Sequence, residues 1–250
     1  MDTDCFSNNF YKPEEGHVPG WQYDEMKLCG VKFDKEDFAD GYDEHHQKFR
    51  DYKKEADERI GMLALDLKST LIDMGCGTGA FAIYAASRVG KIFAVDVSQA
   101  MLKRAYMKAK KGGIENIEFC HGGFLTYQHC AEPVDAIVST LALHHLPDFW
   151  KMVALRRLIK MLKKDGKLLL FDVVFSFDMT DYEFFIKEFI QSMSDRMGEK
   201  MKEELETHFR QEFSSFGWII EDMLGKAGFE IEKADYKDDF FAAFLCTKKV

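Results

Sequence analysis

The chain has 250 residues, of which 46% are hydrophobic and 31% are charged. These proportions are typical of a globular protein, and the length suits one α/β domain. The formal net charge of −9 disfavours nonspecific nucleic-acid binding, because phosphate backbones attract basic surfaces. The six cysteines form no CxxC pair, so their spacing suits neither a zinc module nor a disulfide framework.

The N-terminal sequence is acidic and polar, which is not typical of a secretory signal. No apolar run reaches the roughly 18 residues that a membrane-spanning helix needs. We therefore expect a cytoplasmic protein with no membrane partner. No feature of the sequence indicates an oligomeric state.

The first 60 residues predict a segment that differs from the rest of the chain. Prolines and glycines make it irregular to about residue 20. From about Asp24 to Leu67, polar residues with spaced aromatics predict two or three short helices. We interpret residues 1–60 as a lid segment over a cleft, and residues 61–250 as the main domain.

Strands and helices alternate from residue 70. The predicted strands are 70–73, 91–95, 116–120, 134–140 and 167–174, and the helices between them are 80–88, 98–112 and 151–163. Ser98 is a suitable N-cap, because its hydroxyl can accept a free backbone amide. This alternation predicts a parallel sheet with right-handed crossovers.

The C-terminal third departs from this alternation. Thr180 and Glu183 have the spacing of a capping box, and a long amphipathic helical stretch follows. We interpret residues 178–215 as a helical insertion after the fifth strand. A helix at 218–227 precedes two strands with a short connection, which predicts an antiparallel pair. The expected fold is a doubly wound, mostly parallel seven-stranded α/β sheet with the last strand antiparallel.

The run Leu71-Ile72-Asp73-Met74-Gly75-Cys76-Gly77-Thr78-Gly79 joins the first strand to a helix. Glycines at every second position let a ligand approach the main chain closely. A dinucleotide fingerprint also fits, with Asp96 after the second strand as the ribose-binding acid. Asp73 argues against a dinucleotide, because its carboxylate would lie beside the pyrophosphate and repel it.

Three motifs occur in order: DMGCGTG at 73–79, AVDVS followed by ML at 94–102, and ALHHLPD at 142–148. Together they resemble the class I S-adenosylmethionine-dependent methyltransferases, particularly those that act on small molecules. The resemblance covers residues 60–175 closely. It implies S-adenosylmethionine as the cofactor and a small-molecule methyl acceptor.

The same resemblance implies a role for individual residues. Asp73 would hold the methionine ammonium, and Asp96 would bind the ribose hydroxyls. The other implied cofactor contacts are Gly75, Gly77 and Gly79 around the methionine and ribose, Val97 and Met101 at the adenine, Thr140 and Leu141 beside the cofactor, and Tyr42 as a lid tyrosine. The family often has an acid after the third strand, where this chain has Gly122 and Gly123. We therefore expect backbone groups of Gly123 and Phe124 at the adenine.

Catalytic residues are less evident, because methyl transfer needs a base only when the acceptor must lose a proton. His144 and His145 follow the fourth strand and are the candidates; alternatively, one caps the turn and the other packs. We expect no metal site, since adjacent histidines at 45–46 do not share a helix face and the Cys/His pairs at 120–121 and 129–130 lack the spacing of zinc ligands.

Three functions remain open on the sequence alone. An aromatic N-terminal segment and an apolar insertion favour a closed pocket, as a small-molecule methyltransferase needs. An NAD(P)-dependent oxidoreductase is disfavoured by Asp73. A protein that binds S-adenosylmethionine without catalysis is the third alternative.

Overall fold

The structure is a computed structural model that describes residues 19–27, 29–30 and 51–249. The predicted lid tyrosine Tyr42 and the pair His45–His46 lie outside the described residues. Most of the proposed lid segment therefore stays a prediction.

Within the described ranges, the sheet has eight strands. They are β1 (Thr70–Met74), β2 (Lys91–Asp96), β3 (Ile117–His121), β4 (Val134–Thr140), β5 (Leu162–Phe175), β6 (Ser215–Phe216), β7 (Phe229–Lys237) and β8 (Phe241–Lys248). The α-helices are α1 (Tyr52–Leu63), α2 (Ala80–Ala85), α3 (Gln99–Lys111), α4 (Asp148–Met161), α5 (Tyr182–Met197), α6 (Glu199–Gln211) and α7 (Gly217–Ala227), with short 3-10 turns at Leu143–His145 and Met179–Asp181.

The strand order is β3-β2-β1-β4-β5-β8-β7, and the two-residue strand β6 pairs with β5. Strands β1 to β5 run parallel, whereas β8 is antiparallel to both β5 and β7. The predicted fold class is confirmed, with β6 as an additional short strand. The order reverses between β1 and β4, and in such sheets ligands bind where the carboxyl ends of the strands diverge.

Both faces of the sheet are covered by apolar clusters. On β1, Ile72 packs in one cluster and Leu71 in the other, and both side chains are fully buried. This alternation follows from the pleat, which sends successive side chains to opposite faces. Burial on both faces explains why the first and fourth strands are almost continuously apolar.

Helix α1 packs against α2 and brings Arg59 near Asp73 at the end of β1. Asp51 caps its N-terminus by accepting the Lys54 amide at 3.0 Å. Ala56, Ile60 and Leu63 are buried in the same apolar cluster as Leu71. The boundary that we expected at residue 60 falls inside this helix, so the division into lid and domain stays a prediction.

The insertion differs from its prediction in two respects. It consists of two helices, because the chain breaks at Gly198, which has a φ of 92°. The prediction of a capping box at Thr180 and Glu183 is wrong. Instead the Asp178 side chain accepts the Thr180 amide, a 3-10 turn follows, and α5 starts at Tyr182 without a side-chain cap.

Across the residues that the structure describes, no helix combines the length and apolar character needed to cross a membrane.

Candidate functional site

A cavity opens at the carboxyl ends of β1, β2 and β4, where the glycine-containing loop leaves β1. Nine of the predicted cofactor residues line it: Asp73, Gly75, Gly77, Asp96, Val97, Met101, Gly123, Thr140 and Leu141. Gly79 and Phe124 do not line it. We refer to this space as the first cavity.

The glycine loop requires its glycines for different reasons. Gly75 has a φ of 76°, and a Cβ there would lie 2.4 Å from the Cβ of Ala142. Gly79 also has a positive φ, and its absent side chain makes room for the Cβ of Ala105 on α3 at 2.8 Å. Gly79 therefore serves the packing of α3, whereas Gly77 has open space in front of it.

Asp73 ends β1 with a buried carboxyl group that is only 3% exposed. The Ala82 amide donates to this carboxyl, but its Oδ2 atom has no hydrogen-bond partner among the described residues. Burial raises the pKa of Asp73 to about 7, and the nearby guanidinium of Arg59 opposes the shift. A buried, unpaired oxygen is energetically costly. A cationic ligand in the cavity would satisfy it.

Asp96, at the end of β2, holds the loop in place. Its Oδ2 accepts the Gly77 amide at 2.7 Å, and its Oδ1 accepts the Ser98 amide at 2.8 Å. Burial raises its pKa, and these two amides counter the rise. Each carboxylate oxygen keeps a further lone pair, so Asp96 can still accept hydroxyl donors of a ligand.

The expected adenine contacts have a different arrangement. The Phe124 side chain is buried in the core, and its carbonyl accepts the Arg157 Nε–H at 2.9 Å. The Gly123 amide donates to the Thr126 hydroxyl at 2.9 Å. The Gly123 amide and the Phe124 carbonyl, which we expected at the adenine, are thus already paired within the protein.

An acid does lie in this region, and it comes from the N-terminal segment. Glu25 Oε1 accepts the amides of Leu125 at 2.9 Å and Thr126 at 2.7 Å. A Cβ on Gly123 would lie 2.5 Å from Glu25 Oε2, so only glycine leaves room for this carboxylate. Burial raises the pKa of Glu25, and the hydrogen bonds from Thr126 and Leu125 counter the rise. The sequence analysis missed Glu25, because about 100 residues separate it from the loop it contacts.

A second cavity of about 470 Å³ adjoins the first. Four residues line both: Glu55, Arg59, Leu141 and His145. Leu141 has a φ of 52°, an unusual conformation for a non-glycine residue. The rest of the second cavity is mainly apolar and comes from the insertion and β5, including Phe171, Phe189, Met193, Met197, Met201 and Phe209.

His144 does not line the first cavity. It is buried in a group of charged residues with Asp172 and Glu212, which we call the ionic cluster. Its Nδ1 contacts Asp172 Oδ1 at 2.5 Å, and its backbone amide donates to Asp172 Oδ2 at 3.0 Å. Its Nε2 lies 3.3 Å from Glu212 Oε2. Burial alone would lower the pKa of His144, but the two carboxylates raise it to about 9. His144 is therefore an imidazolium at neutral pH.

His145 is the histidine that borders both cavities. Its Nδ1 lies 3.9 Å from Glu212 Oε1 and 3.8 Å from the Cys29 sulfur. Burial, together with the charge on His144, lowers its pKa to about 3. The two adjacent histidines thus differ in charge, which their sequence does not reveal.

Glu212, just after α6, joins the two histidines and was missed by the sequence analysis. Its side chain is 3% exposed, and it also accepts a hydrogen bond from His208 Nδ1. Burial would raise its pKa, but His144 and His208 hold it well below the usual range. Among the described residues, His144, His145 and Glu212 are the group whose geometry could hold a metal ion.

The histidines of the two Cys/His pairs at 120–121 and 129–130 contact backbone carbonyl groups. His121 Nε2 lies 3.0 Å from the Val97 carbonyl, and His129 Nε2 lies 2.9 Å from the Glu132 carbonyl. His129 also packs edge-on against Phe93.

Comparisons with known proteins agree with this geometry. Residues 71–166 match the family described as a methyltransferase domain. The chain is 34% identical over 144 residues to an uncharacterised methyltransferase of Bacillus pumilus, covering 56% of this chain and 62% of the relative. It is 28% identical over 144 residues to one of Geobacillus, covering 56% and 66%. The chain thus spans about two thirds or less of the length of these two relatives.

A solved structure of an S-adenosylmethionine-dependent methyltransferase from Clostridium acetobutylicum has the same fold. The TM-score is 0.64 at 16% identity, over 86% of this chain and 98% of that one. The family match and these relatives show a methyltransferase domain, and the fold is that of the class I S-adenosylmethionine-dependent methyltransferases. S-adenosylmethionine, on which the Clostridium enzyme depends, would fit the unpaired Asp73 oxygen, because it carries an ammonium group and no phosphate.

Proposed function

We propose that the protein transfers a methyl group from S-adenosylmethionine in the first cavity to a small-molecule acceptor in the second cavity. The observation that carries the proposal is the junction of the two cavities at Leu141 and His145. A donor and an acceptor on either side of this junction would be in contact while both are largely shielded from water.

The first cavity has the groups that S-adenosylmethionine needs. The Asp73 carboxylate would accept the methionine ammonium, and Asp96 would accept ribose hydroxyls. Val97, Met101 and the Cα of Gly123 would pack against the adenine, with Glu25 as the acid at that end. Thr140 adds a second unpaired oxygen, since its buried hydroxyl has no partner in the described part of the chain.

The second cavity favours an acceptor with a sizeable apolar part. Six phenylalanine and methionine side chains from α5, α6 and β5 form an apolar part of its lining. Methionine adapts its shape and contacts aromatic rings favourably, so such a wall suits a flat or irregular apolar ligand. Glu55, Arg59 and His145 lie where the cavities meet, and there the reacting group of the acceptor would be placed.

Positioning would supply most of the rate. When bound, S-adenosylmethionine supplies an activated methyl group and leaves as S-adenosylhomocysteine. Well-oriented reactants gain effective molarities of about 10⁵ M or more, so holding the acceptor in line contributes strongly. His145 would contact the reacting group, whereas His144 would hold the turn through Asp172.

A labelling experiment tests the class of acceptor. The protein is incubated with methyl-labelled S-adenosylmethionine and a panel of small apolar alcohols, phenols, amines and thiols, alongside total RNA and total protein. We expect label in an organic-extractable, low-mass product. A Met197→Trp substitution would narrow the second cavity and should reduce this label by about tenfold or more, because a small misplacement of the reactants lowers the rate strongly.

The matched control is Met107→Trp, at a half-exposed position on α3 that lines neither cavity. This variant should keep the wild-type rate. Label that enters RNA or protein instead, or an equal effect of the two substitutions, would contradict the proposal. Cofactor binding without label in any fraction would support the non-catalytic alternative.

A further inference from the structure

A cluster of ionisable residues lies beside the cavity junction. We propose that His144, His145 and Glu212, together with Cys29, bind a Zn²⁺ ion. The donor atoms of the first three all lie within 4.8 Å of one another. The Cys29 sulfur lies 3.8 Å from His145 Nδ1.

The distances fit tetrahedral coordination. With Zn–N bonds of about 2.1 Å and Zn–S bonds of about 2.3 Å, neighbouring ligand atoms lie about 3.4 to 3.7 Å apart. The structure has 3.3 Å between His144 Nε2 and Glu212 Oε2, 3.9 Å between His145 Nδ1 and Glu212 Oε1, and 3.8 Å between His145 Nδ1 and the Cys29 sulfur. The two histidines face different oxygens of the Glu212 carboxylate, so binding one ion requires this carboxylate to rotate and the neighbouring side chains to shift.

His144 is already oriented as a zinc ligand usually is. Its Nδ1 is held by the buried Asp172 carboxylate, which leaves Nε2 facing Glu212. Metal-bound histidines almost always have their second nitrogen engaged by a carboxylate or carbonyl in this way. Asp172 would thus fix the ring and strengthen its bond to the metal.

The chemistry of the donors selects the ion. Two imidazoles, one thiolate and one carboxylate suit zinc, whereas calcium and magnesium take oxygen ligands. Zn²⁺ binds the thiolate form of cysteine and the neutral form of histidine, so the proton of the Cys29 thiol would pass to solvent when the ion binds.

Such an ion would join separate parts of the chain at the cavity junction. Cys29 belongs to the N-terminal segment, the histidines follow β4, and Glu212 follows α6. A Cβ on Gly30 would lie 2.0 Å from Glu212 Oε1, so glycine at this position allows the segment to approach the carboxylate. Coordination through His145 Nδ1 would leave Nε2–H free to donate a hydrogen bond that orients the acceptor.

The test uses tag-free, full-length protein stripped with a chelator and then titrated with Zn²⁺ against a chromophoric competitor. Co²⁺ replaces Zn²⁺ in a parallel titration, because tetrahedral cobalt absorbs strongly in the visible range and a thiolate ligand adds a near-ultraviolet band. The variants are Cys29→Ser and Glu212→Gln, with Cys130→Ser as the matched control at an exposed cysteine. Circular dichroism checks that each variant is folded.

We expect one tightly bound ion per chain and tetrahedral cobalt bands. Cys29→Ser should abolish the thiolate band, and Glu212→Gln should weaken Zn²⁺ binding by more than about 100-fold, beyond the effect of groups that only orient ligands. Cys130→Ser should bind as the wild type does. Octahedral cobalt spectra, a thiolate band that survives in folded Cys29→Ser, or no binding by the wild type would overturn the proposal. No cofactor enters this test, so its result is independent of methyl transfer.

Discussion

The first cavity and the ionic cluster beside it are built in opposite ways. The first cavity takes its main polar groups from short motifs at the ends of β1 and β2, which are neighbours in the sheet. The cluster takes Cys29, His144, Asp172 and Glu212 from four separate parts of the chain. Short sequence motifs therefore predict the polar groups of the first cavity. The cluster forms only when the insertion packs against β5 and against the turn after β4, so no single motif predicts it.

The largest expected effect concerns the carboxylate in the first cavity. Asp73→Asn removes the charge that would pair with the methionine ammonium, and loss of one partner of a buried ion pair costs about 3 kcal/mol. We expect the affinity for S-adenosylhomocysteine, measured by isothermal titration calorimetry, to fall about 100-fold. The melting temperature of the free protein should not fall, because the buried charge is itself costly.

Asp222→Asn, at an exposed carboxylate on α7, is the control for this substitution and should leave binding unchanged. A similar loss of affinity in both variants, or unaltered binding in Asp73→Asn, would show that Asp73 does not bind the cofactor.

Alanine substitutions at glycines with positive φ should lower the free energy of unfolding by different amounts. Gly75→Ala combines a φ of 76° with a Cβ only 2.4 Å from Ala142, so strain and overpacking add to about 3 kcal/mol of lost unfolding free energy. At Gly113 the φ is 65° but a Cβ meets no atom within 4 Å. Gly113→Ala should therefore cost about 1 kcal/mol, from strain alone. Urea denaturation compares the two, and equal losses would contradict the close contact at Gly75.

The pH dependence of binding should reveal the buried Asp73. Its pKa is raised to about 7 in the free protein, and a bound cation would lower it. Binding of S-adenosylhomocysteine at pH 6 should therefore release about one proton, and affinity should fall up to about tenfold per pH unit below 7. Calorimetry in buffers of different ionisation enthalpy measures the release, which Asp73→Asn should abolish.

The same pKa has a consequence for stability of the free protein. Folding raises the Asp73 pKa above its ordinary value of 3.8, so the native state binds more protons than the unfolded state between these two pH values. The contribution of Asp73 to the unfolding free energy should therefore decrease as pH rises from about 4 to about 7. A contribution that increases over this range would contradict the raised pKa.

The smallest expected effect is at the N-cap of α3. The Ser98 hydroxyl accepts the Met101 amide at 3.3 Å, so Ser98→Ala should lower the unfolding free energy by about 1 kcal/mol. The Ser98 backbone amide, which donates to Asp96, remains in the variant. Affinity for S-adenosylhomocysteine should change by less than threefold, which titration calorimetry measures; a loss as large as that of Asp73→Asn would contradict this separation of roles.

The parts of the protein that the sequence predicts are those with local causes. Strand and helix alternation, the glycine loop and the Ser98 cap depend on neighbouring residues, and the structure has all three. The predicted capping box is wrong, because the Thr180 amide, which Glu183 would have accepted, donates to the Asp178 side chain instead. The insertion is two helices, because a single glycine at 198 adopts a positive φ that no helix continues through.

The residues that the sequence analysis missed act across long separations. Glu25 reaches the loop after β3 because Gly122-Gly123 leaves space there, and the glycine at 123 is the signal that could have indicated a close approach. Glu212 has no such signal, since it lies in a charged amphipathic helix end. Only the packing of α6 brings it to His144.

The most direct test of this account is a calorimetric titration of the wild-type protein with S-adenosylhomocysteine and, separately, with NAD⁺ and NADP⁺. The unpaired carboxylate of Asp73 predicts micromolar binding of S-adenosylhomocysteine and no detectable heat with either dinucleotide. Binding of a dinucleotide, or no heat with S-adenosylhomocysteine from folded, ligand-free protein, would contradict the assignment of the first cavity.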